Sequence, residues 1–156
     1  MIRPTTTADV EHLVRLTDAT GFFRPVEVVA LSEVFEDYFR ADQARGHRCM
    51  TCEKDDKLVG FAYYAPAGVS ERAWQLWWIV VRADQHGRGV GSELLRFLED
   101  DIKRSRGRVL FIDTSSQPRY APTRQFYLKH GYEQHAVLKD FYDAGDDMIV
   151  FRKAFE

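Results

Sequence analysis

The feature that most constrains this chain is the stretch from Trp74 to Ile102, where an apolar run, a glycine-rich turn and an amphipathic pattern follow one another. Leu76 to Val81 is six consecutive apolar residues, rich in β-branched and aromatic types. That length and composition suit a strand buried on both faces. Arg82, Ala83, Asp84 and Gln85 break the pattern, and His86-Gly87-Arg88-Gly89-Val90-Gly91 follows, with three of the ten glycines of the chain. From Gly91 onward Leu94, Leu95, Leu98 and Ile102 recur at helical spacing, with Glu93, Glu99, Asp100 and Lys103 between them. A strand that enters a helix through a glycine turn aims unpaired backbone N–H groups and the positive helix end at an anion.

Side chains narrow the choice of anion. The dinucleotide pattern needs glycines at first, third and sixth positions, but counting from Gly87 the sixth is Ser92. The nucleoside-triphosphate loop needs Gly-Lys followed by Ser or Thr, and no lysine lies between Lys57 and Lys103. What remains resembles the acetyl-CoA pyrophosphate loop of the GNAT acetyltransferase superfamily, usually Arg/Gln-x-x-Gly-x-Gly/Ala, with His86 departing from the Arg/Gln position. Backbone amides carry most of such a contact, so the departure is tolerable. A tight strand-to-helix turn without a ligand would use the same glycines. A second match is Ala121-Pro122-Thr123-Arg124-Gln125-Phe126-Tyr127-Leu128-Lys129-His130-Gly131-Tyr132, which resembles the superfamily's later helix and turn, commonly Ala-x-x-Phe-Tyr-x-x-x-Gly-Phe. The two matches stand in the family's order, with one strand pattern between them.

Length and composition fit that resemblance. At 156 residues the chain reads as a single acetyltransferase domain, 1–156, long enough for a core. A net charge of −2 and a pI near 6.2 give no basic footprint for nucleic acid. Arg3, Asp9, Glu11, His12, Arg15 and Asp18 fall in the first twenty residues, where a signal peptide would be apolar. No apolar run reaches the length of a membrane span, so the expectation is a cytoplasmic protein with no membrane partner. Cys49 and Cys52 lack a second cysteine pair, and on a strand they point to opposite faces, which opposes a metal site or disulfide.

Taken in order, Ile2-Arg3-Pro4 reads as a strand, and Thr6 or Thr7 as the cap of a helix burying Val10, Leu13, Val14 and Thr17. Pro25 suits the first turn of a helix that places Val28, Leu31, Phe35, Tyr38 and Phe39 on one side and ends before Gly46. His47 to Glu53 and Lys57 to Pro66 read as strands joined at Lys54-Asp55-Asp56. Arg108 to Thr114 is a strand parallel to the central one, because a strand–helix–strand unit of this length implies a right-handed crossover. A helix spans about Pro122 to His130, and Glu133 to Asp140 and Asp147 to Lys153 are the last strands, separated by 141–146. The expected architecture is α/β (α+β): a GNAT-like mixed, mostly antiparallel sheet of about seven strands. It is split between the central strand 73–81 and the parallel strand 108–114, and flanked by about four helices.

The resemblance also implies roles. The co-substrate is acetyl-CoA, held by His86, Gly87, Arg88, Gly89, Val90, Gly91 and Ser92. The main chain of Ile79, Val80 and Val81 pairs with the pantetheine arm and supplies the N–H for the thioester oxygen. Tyr127, the second aromatic of Phe126-Tyr127, protonates the leaving thiolate; a phenol near pKa 10 and a thiol near 8.5 are roughly matched. Phe126 and Thr123 join the cofactor contacts, as does Tyr120, which replaces the family's frequent Asn six residues before the aromatic pair. The family's usual strand glutamate is absent, since Gln75 and Trp77 occupy the equivalent positions. Asp113 is the candidate base, set against the more ordinary reading of a capping or turn carboxylate for the Thr114-Ser115-Ser116 segment. Phe22, Phe23, Glu27, Trp77, Thr114 and Tyr142 are candidates for the acceptor pocket, although packing accounts as well for the two phenylalanines. Asp140, Asp143, Asp146 and Asp147 could attract a cationic substrate or form a solvated loop. The expected acceptor is a small primary amine or an amino acid, and a homodimer is compatible with the family. A protein or peptide acetyltransferase and a low-turnover acyl-CoA sensor are the alternatives.

Overall fold

The computed structural model describes all 156 residues, Met1–Glu156. Seven strands form one sheet: β1 (Ile2–Pro4), β2 (Arg48–Lys54), β3 (Lys57–Pro66), β4 (Ala73–Val81), β5 (Val109–Ser115), β6 (Glu133–Asp143) and β7 (Asp146–Ala154), in the order β1-β2-β3-β4-β5-β7-β6. The helices are α1 (Val10–Ala19), α2 (Pro25–Asp37), α3 (Val90–Arg104) and α4 (Ala121–Lys129). β4 and β5 are parallel, as the crossover rule requires, and pair from Ala73↔Val109 to Leu76↔Ile112. This is the mixed architecture expected from the sequence. No helix is long and apolar enough to cross a membrane.

By their contacts the residues group into two units, 1–65 with 78–101, and 66–77 with 102–156. In the first, a 3-10 turn over Thr7–Asp9 leads into α1 and opens with a capping box in which Asp9 accepts from the Thr6 amide at 2.8 Å. Asp9 also takes both ends of the Arg3 guanidinium, at 2.7 and 2.9 Å, which ties β1 to the helix start. Leu13, Leu31, Phe35, Phe61, Tyr63 and Val80 form the core. α1 buries Leu16 as well as Leu13 and Thr17, while Val10 and Val14 are only half-buried. The second helix does not run unbroken to Gly46. The α-helix ends at Asp37, and a π-turn over Tyr38–Asp42 and a 3-10 turn over Gln43–Arg45 lead to Gly46 at φ 98°. The wider turn re-phases the chain so that Tyr38 stays buried, its ring 5.5 Å from that of Tyr63. β2 and β3 join through Asp55-Asp56, both at positive φ, the conformation of a two-residue hairpin turn.

In the second unit β5, β7 and β6 are antiparallel neighbours. Leu110, Ile112, Ile149 and Phe151 share one sheet face and are buried, with the Tyr127 ring of α4 5.7 Å from that of Phe151. The last hairpin departs from expectation: β6 continues to Asp143, and only Ala144-Gly145 separates it from β7. Asp140 makes this possible by adopting φ 55° in a bulge, where its amide donates to Asp147 Oδ1 at 2.9 Å.

Candidate active site

The loop between β4 and α3 belongs to the first unit and is built from the end of the strand outward. The Arg82 amide donates to Val59 O at 2.8 Å, and the Arg82 guanidinium lies along Asp84 at 2.6 and 3.1 Å. That pairing holds the Asp84 carboxyl below its ordinary value. His86 folds back on the strand: its Nε2–H donates to Val81 O at 2.8 Å, which fixes the tautomer because a carbonyl only accepts. The residue that departs from the family pattern therefore anchors the turn to β4.

Gly87 and Gly89 sit at φ 76° and 84°, and a Cβ added at either would meet nothing within 4 Å. They are glycines because of the backbone conformation, not for want of room. Of the amides from Gly87 to Gly91, only that of Arg88 finds a carbonyl, Gln85 O at 3.3 Å. Those of Gly87, Gly89, Val90 and Gly91 donate to none, at the positive end of a fifteen-residue helix. The Arg88 side chain is exposed beside them. Four unpaired amides, a helix N-terminus and a free cation fit a diphosphate well.

The strand before the loop is held by a residue that the motifs do not contain. A Cβ on Gly60 of β3 would lie 2.7 Å from Val80 O, 3.3 Å from Leu94 Cδ1 and 3.4 Å from Val90 Cγ1. Glycine alone lets β3 approach the main chain of Val80, and a lone glycine inside an apolar strand pattern is the sequence signal of such an approach. Val80 is buried, while Ile79 and Val81 are half-buried. Also in this unit, Phe23 packs on Trp78 with ring centroids 5.4 Å apart, and Phe22 stands edge-on to Phe23. The Glu27 carboxylate accepts from the Arg24 amide at 2.9 Å as the capping box of α2, so helix capping already engages it.

The remaining candidates lie in the second unit. Tyr127 is buried, and its ring touches those of Phe126, Tyr132 and Phe151 at 5.5–5.9 Å. Burial pushes its pKa above the ordinary phenol value. This alters the sequence argument, because the phenol no longer matches a thiol in water. Desolvation raises any thiolate brought beside it in the same direction, so what survives is the relative order of the two acids. Thr114 Oγ1 is buried without a partner. Tyr120, at the start of α4, is half-buried beneath the Arg119 guanidinium, 5.1 Å from its ring, and Thr123 is half-buried one turn on.

Asp113 is exposed on β5, yet the surrounding protein desolvates it and raises its carboxyl above the ordinary value. It does not cap the segment that follows. Ser115 Oγ does so, accepting from the Gln117 amide at 3.0 Å and donating to Asp146. The hairpin carboxylates are likewise engaged internally. Asp140 accepts from the Gly145 amide, Asp143 from the Ala144 amide, and Asp147 from the Asp140 amide. They form the turn, with Asp140 and Asp143 exposed to solvent. Trp77 and Tyr142 are each 45% exposed.

Comparison with known proteins agrees with this geometry. A model described as the acetyltransferase (GNAT) family matches residues 14–132. The S-(2-succino)cysteine N-acetyltransferase of Bacillus subtilis (strain 168) is 25% identical over 92 residues, 56% of this chain and 56% of that protein. The chain thus spans little more than half the length of that curated relative. A protein from Desulfovibrio desulfuricans assigned to the GNAT family matches with TM-score 0.94 and 35% identity, over 99% of this chain and 98% of that one. Ribosomal-protein-alanine N-acetyltransferase from Brucella melitensis (TM-score 0.82, 22% identity, 99% of both chains) shares the fold. So does an aminoglycoside 6'-N-acetyltransferase solved with coenzyme A (TM-score 0.79, 18% identity, 99% of this chain and 96% of that one). A family match over most of the chain and a nearly full-length structural match establish that the chain belongs to the GNAT family of acetyltransferases, whose acetyl donor is acetyl-CoA.

Proposed function

We propose that this protein transfers the acetyl group of acetyl-CoA to the primary amine of a small molecule or amino acid by direct attack. The observation that carries this reading is the set of four unpaired amides on the Gly87–Gly91 turn at the start of α3. They bind the diphosphate, with Arg88 and Ser92 beside them, while Tyr120, Thr123 and Phe126 contribute further contacts to coenzyme A. Acetyl-CoA supplies an acyl thioester already activated toward an amine. The main chain of Ile79, Val80 and Val81 pairs with the pantetheine arm and donates an N–H to the carbonyl oxygen as it gains charge. The amine nitrogen forms the new bond to carbon, its proton passes to Asp113 through water, and the carbon–sulfur bond breaks. Tyr127 donates its proton to the departing sulfur, and solvent restores both side chains. An Asp113 carboxyl raised by desolvation is a better base than an ordinary aspartate. The partial match to a protein named for acetylating a modified cysteine supports the amino-acid arm of the proposal.

The test is thiol release from acetyl-CoA with a panel of amines and amino acids, alongside calorimetry with coenzyme A. Tyr127→Phe keeps the ring packing, so coenzyme affinity should hold while turnover falls about 10²-fold or more. Unchanged turnover removes Tyr127 from the mechanism, and failure of coenzyme A to bind removes the whole proposal.

A further inference from the structure

The four strands of the second unit present two unlike faces. One, with Leu110, Ile112, Ile149 and Phe151, is buried beneath Tyr127. Strand register places Phe111, Asp113, Val150 and Arg152 together on the other, where none of them is fully buried. Gln75 pairs with Phe111, so alternation along β4 brings Trp77 to this face too. A sheet face can simply be wet, but this one pairs exposed apolar surface with one isolated carboxylate. Asp113 has no hydrogen-bond or ion-pair partner, whereas the carboxylates of the neighbouring hairpin each hold a donor.

Asp113 lies opposite Val150 and Phe111 opposite Arg152, so Asp113 and Arg152 are diagonal neighbours. Such neighbours are roughly 7–8 Å apart at the backbone, and these two do not bridge each other. Arg152 spends Nη1 on Glu133 at 3.1 Å, an exposed pair worth little, and its other donors are unused. The face therefore offers a negative and a positive group one diagonal apart, flanked by apolar surface. We propose that Asp113 and Arg152 form the acceptor subsite and take the ammonium and carboxylate of an α-amino acid whose apolar or aromatic side chain lies over Trp77 and Val150. This rests on the acetyltransferase reading above and narrows it. A polycation would meet Arg152 as a repulsive charge, and a peptide N-terminus carries no carboxylate beside its amine. The desolvated state of Asp113 points the same way, because an incoming ammonium relieves it.

The test compares leucine with isoamylamine and phenylalanine with phenethylamine, each pair differing only in the carboxylate, at saturating acetyl-CoA. The amino acid is expected to be the better acceptor by at least about tenfold in kcat/KM. Arg152→Gln should raise its KM ~10–100-fold and erase the preference. Glu133→Gln separates recognition from bracing. If Arg152 recognises the carboxylate, this variant leaves the amino-acid KM at or below the wild-type value. If Arg152 only braces the hairpin, the two variants behave alike and the proposal is overturned. Amines acetylated as well as amino acids overturn it too, with the acetyltransferase reading intact. If no acceptor turns over, calorimetric titration of the same amino acids into the protein–coenzyme complex decides: absence of binding overturns the subsite, and failure of coenzyme A itself to bind overturns the underlying reading as well.

Discussion

Gly60→Ala adds one methyl group where the main chain of β4 is closest. The substitution has no conformational cost, because Gly60 does not sit at positive φ. Its cost is contact. Leu94 Cδ1 at 3.3 Å and Val90 Cγ1 at 3.4 Å are side-chain atoms that can give way by a few tenths of an ångström. Val80 O at 2.7 Å is backbone and cannot swing aside. Carbon–oxygen contacts settle at about 3.3 Å or more, so β3 and β4 must part by roughly 0.6 Å. Overpacking of this kind costs about 1–3 kcal/mol, and the stiffer unfolded chain returns about 0.4–1 kcal/mol. The net loss is about 1–2 kcal/mol, or roughly 3–6 °C in Tm for a chain of this size.

The functional consequence follows from which backbone moves. A shift of about 0.6 Å takes a hydrogen bond from a normal 2.9 Å to about 3.5 Å, where little of it remains. If Val80 and its neighbours pair with the pantetheine arm, coenzyme A should bind about two- to tenfold more weakly. Thermal unfolding by circular dichroism and calorimetric titration of coenzyme A read the two effects separately. A variant that melts at or above the wild-type temperature shows that the strands have slack, and the steric reasoning is then wrong. A lowered Tm with unchanged affinity keeps the steric argument and removes Val80 from the coenzyme site.

Gly89→Ala tests the opposite case: φ is 84° and nothing lies within 4 Å of the new Cβ, so only backbone strain of ~1–2 kcal/mol enters. Because the loop is exposed and can relax, Tm should hardly change while the coenzyme dissociation constant rises ~5–30-fold; equal affinity by calorimetry contradicts the amide cradle. Asp9 sets an acid limit on stability. Hydrogen bonds from Arg3 hold its carboxyl at about 2 against an ordinary 3.8. The folded value lies below the unfolded one, so its contribution of about 2 kcal/mol is complete above pH ~4 and is lost as pH falls through about 2, half of it by pH ~3. Urea midpoints of wild type and Asp9→Asn should therefore differ most near neutrality and converge toward pH 2; a gap independent of pH rules this linkage out.

What could be read from the sequence was whatever the chain encodes within a few residues of itself. The Gly87–Gly91 turn, the apolar stripe of Leu94, Leu95 and Leu98, and Pro25 at the first position of α2 are local, and each stands where its pattern places it. The misreadings share a different physical origin. The π-turn at Tyr38 answers a ring from β3, and the continuation of β6 through Asp140 answers a carboxylate from β7. The pKa of Tyr127 depends on residues packed around it from β7 and the turn after α4. Gly60 left a trace, a glycine inside an apolar strand, but its partner Val80 did not show until the strands were placed.

The same division separates the donor from the acceptor. Coenzyme recognition, if it uses the Gly87–Gly91 amides, sits in one turn and one helix start, so it is visible in a single line of sequence. Acceptor recognition, if it uses Asp113 and Arg152, exists only because β5 and β7 pair in one register, Asp113↔Val150 and Phe111↔Arg152. A slip of one residue in β7 would carry Arg152 to the covered face and bring a neutral apolar neighbour, Phe151, beside Phe111 instead. The bulge at Gln134/Ala136 in β6 lies against that segment of β7, opposite Val150–Arg152. Insertion or deletion of one residue at that bulge should therefore disturb acceptor preference while leaving coenzyme binding in place, a separation that no substitution confined to the glycine turn could produce.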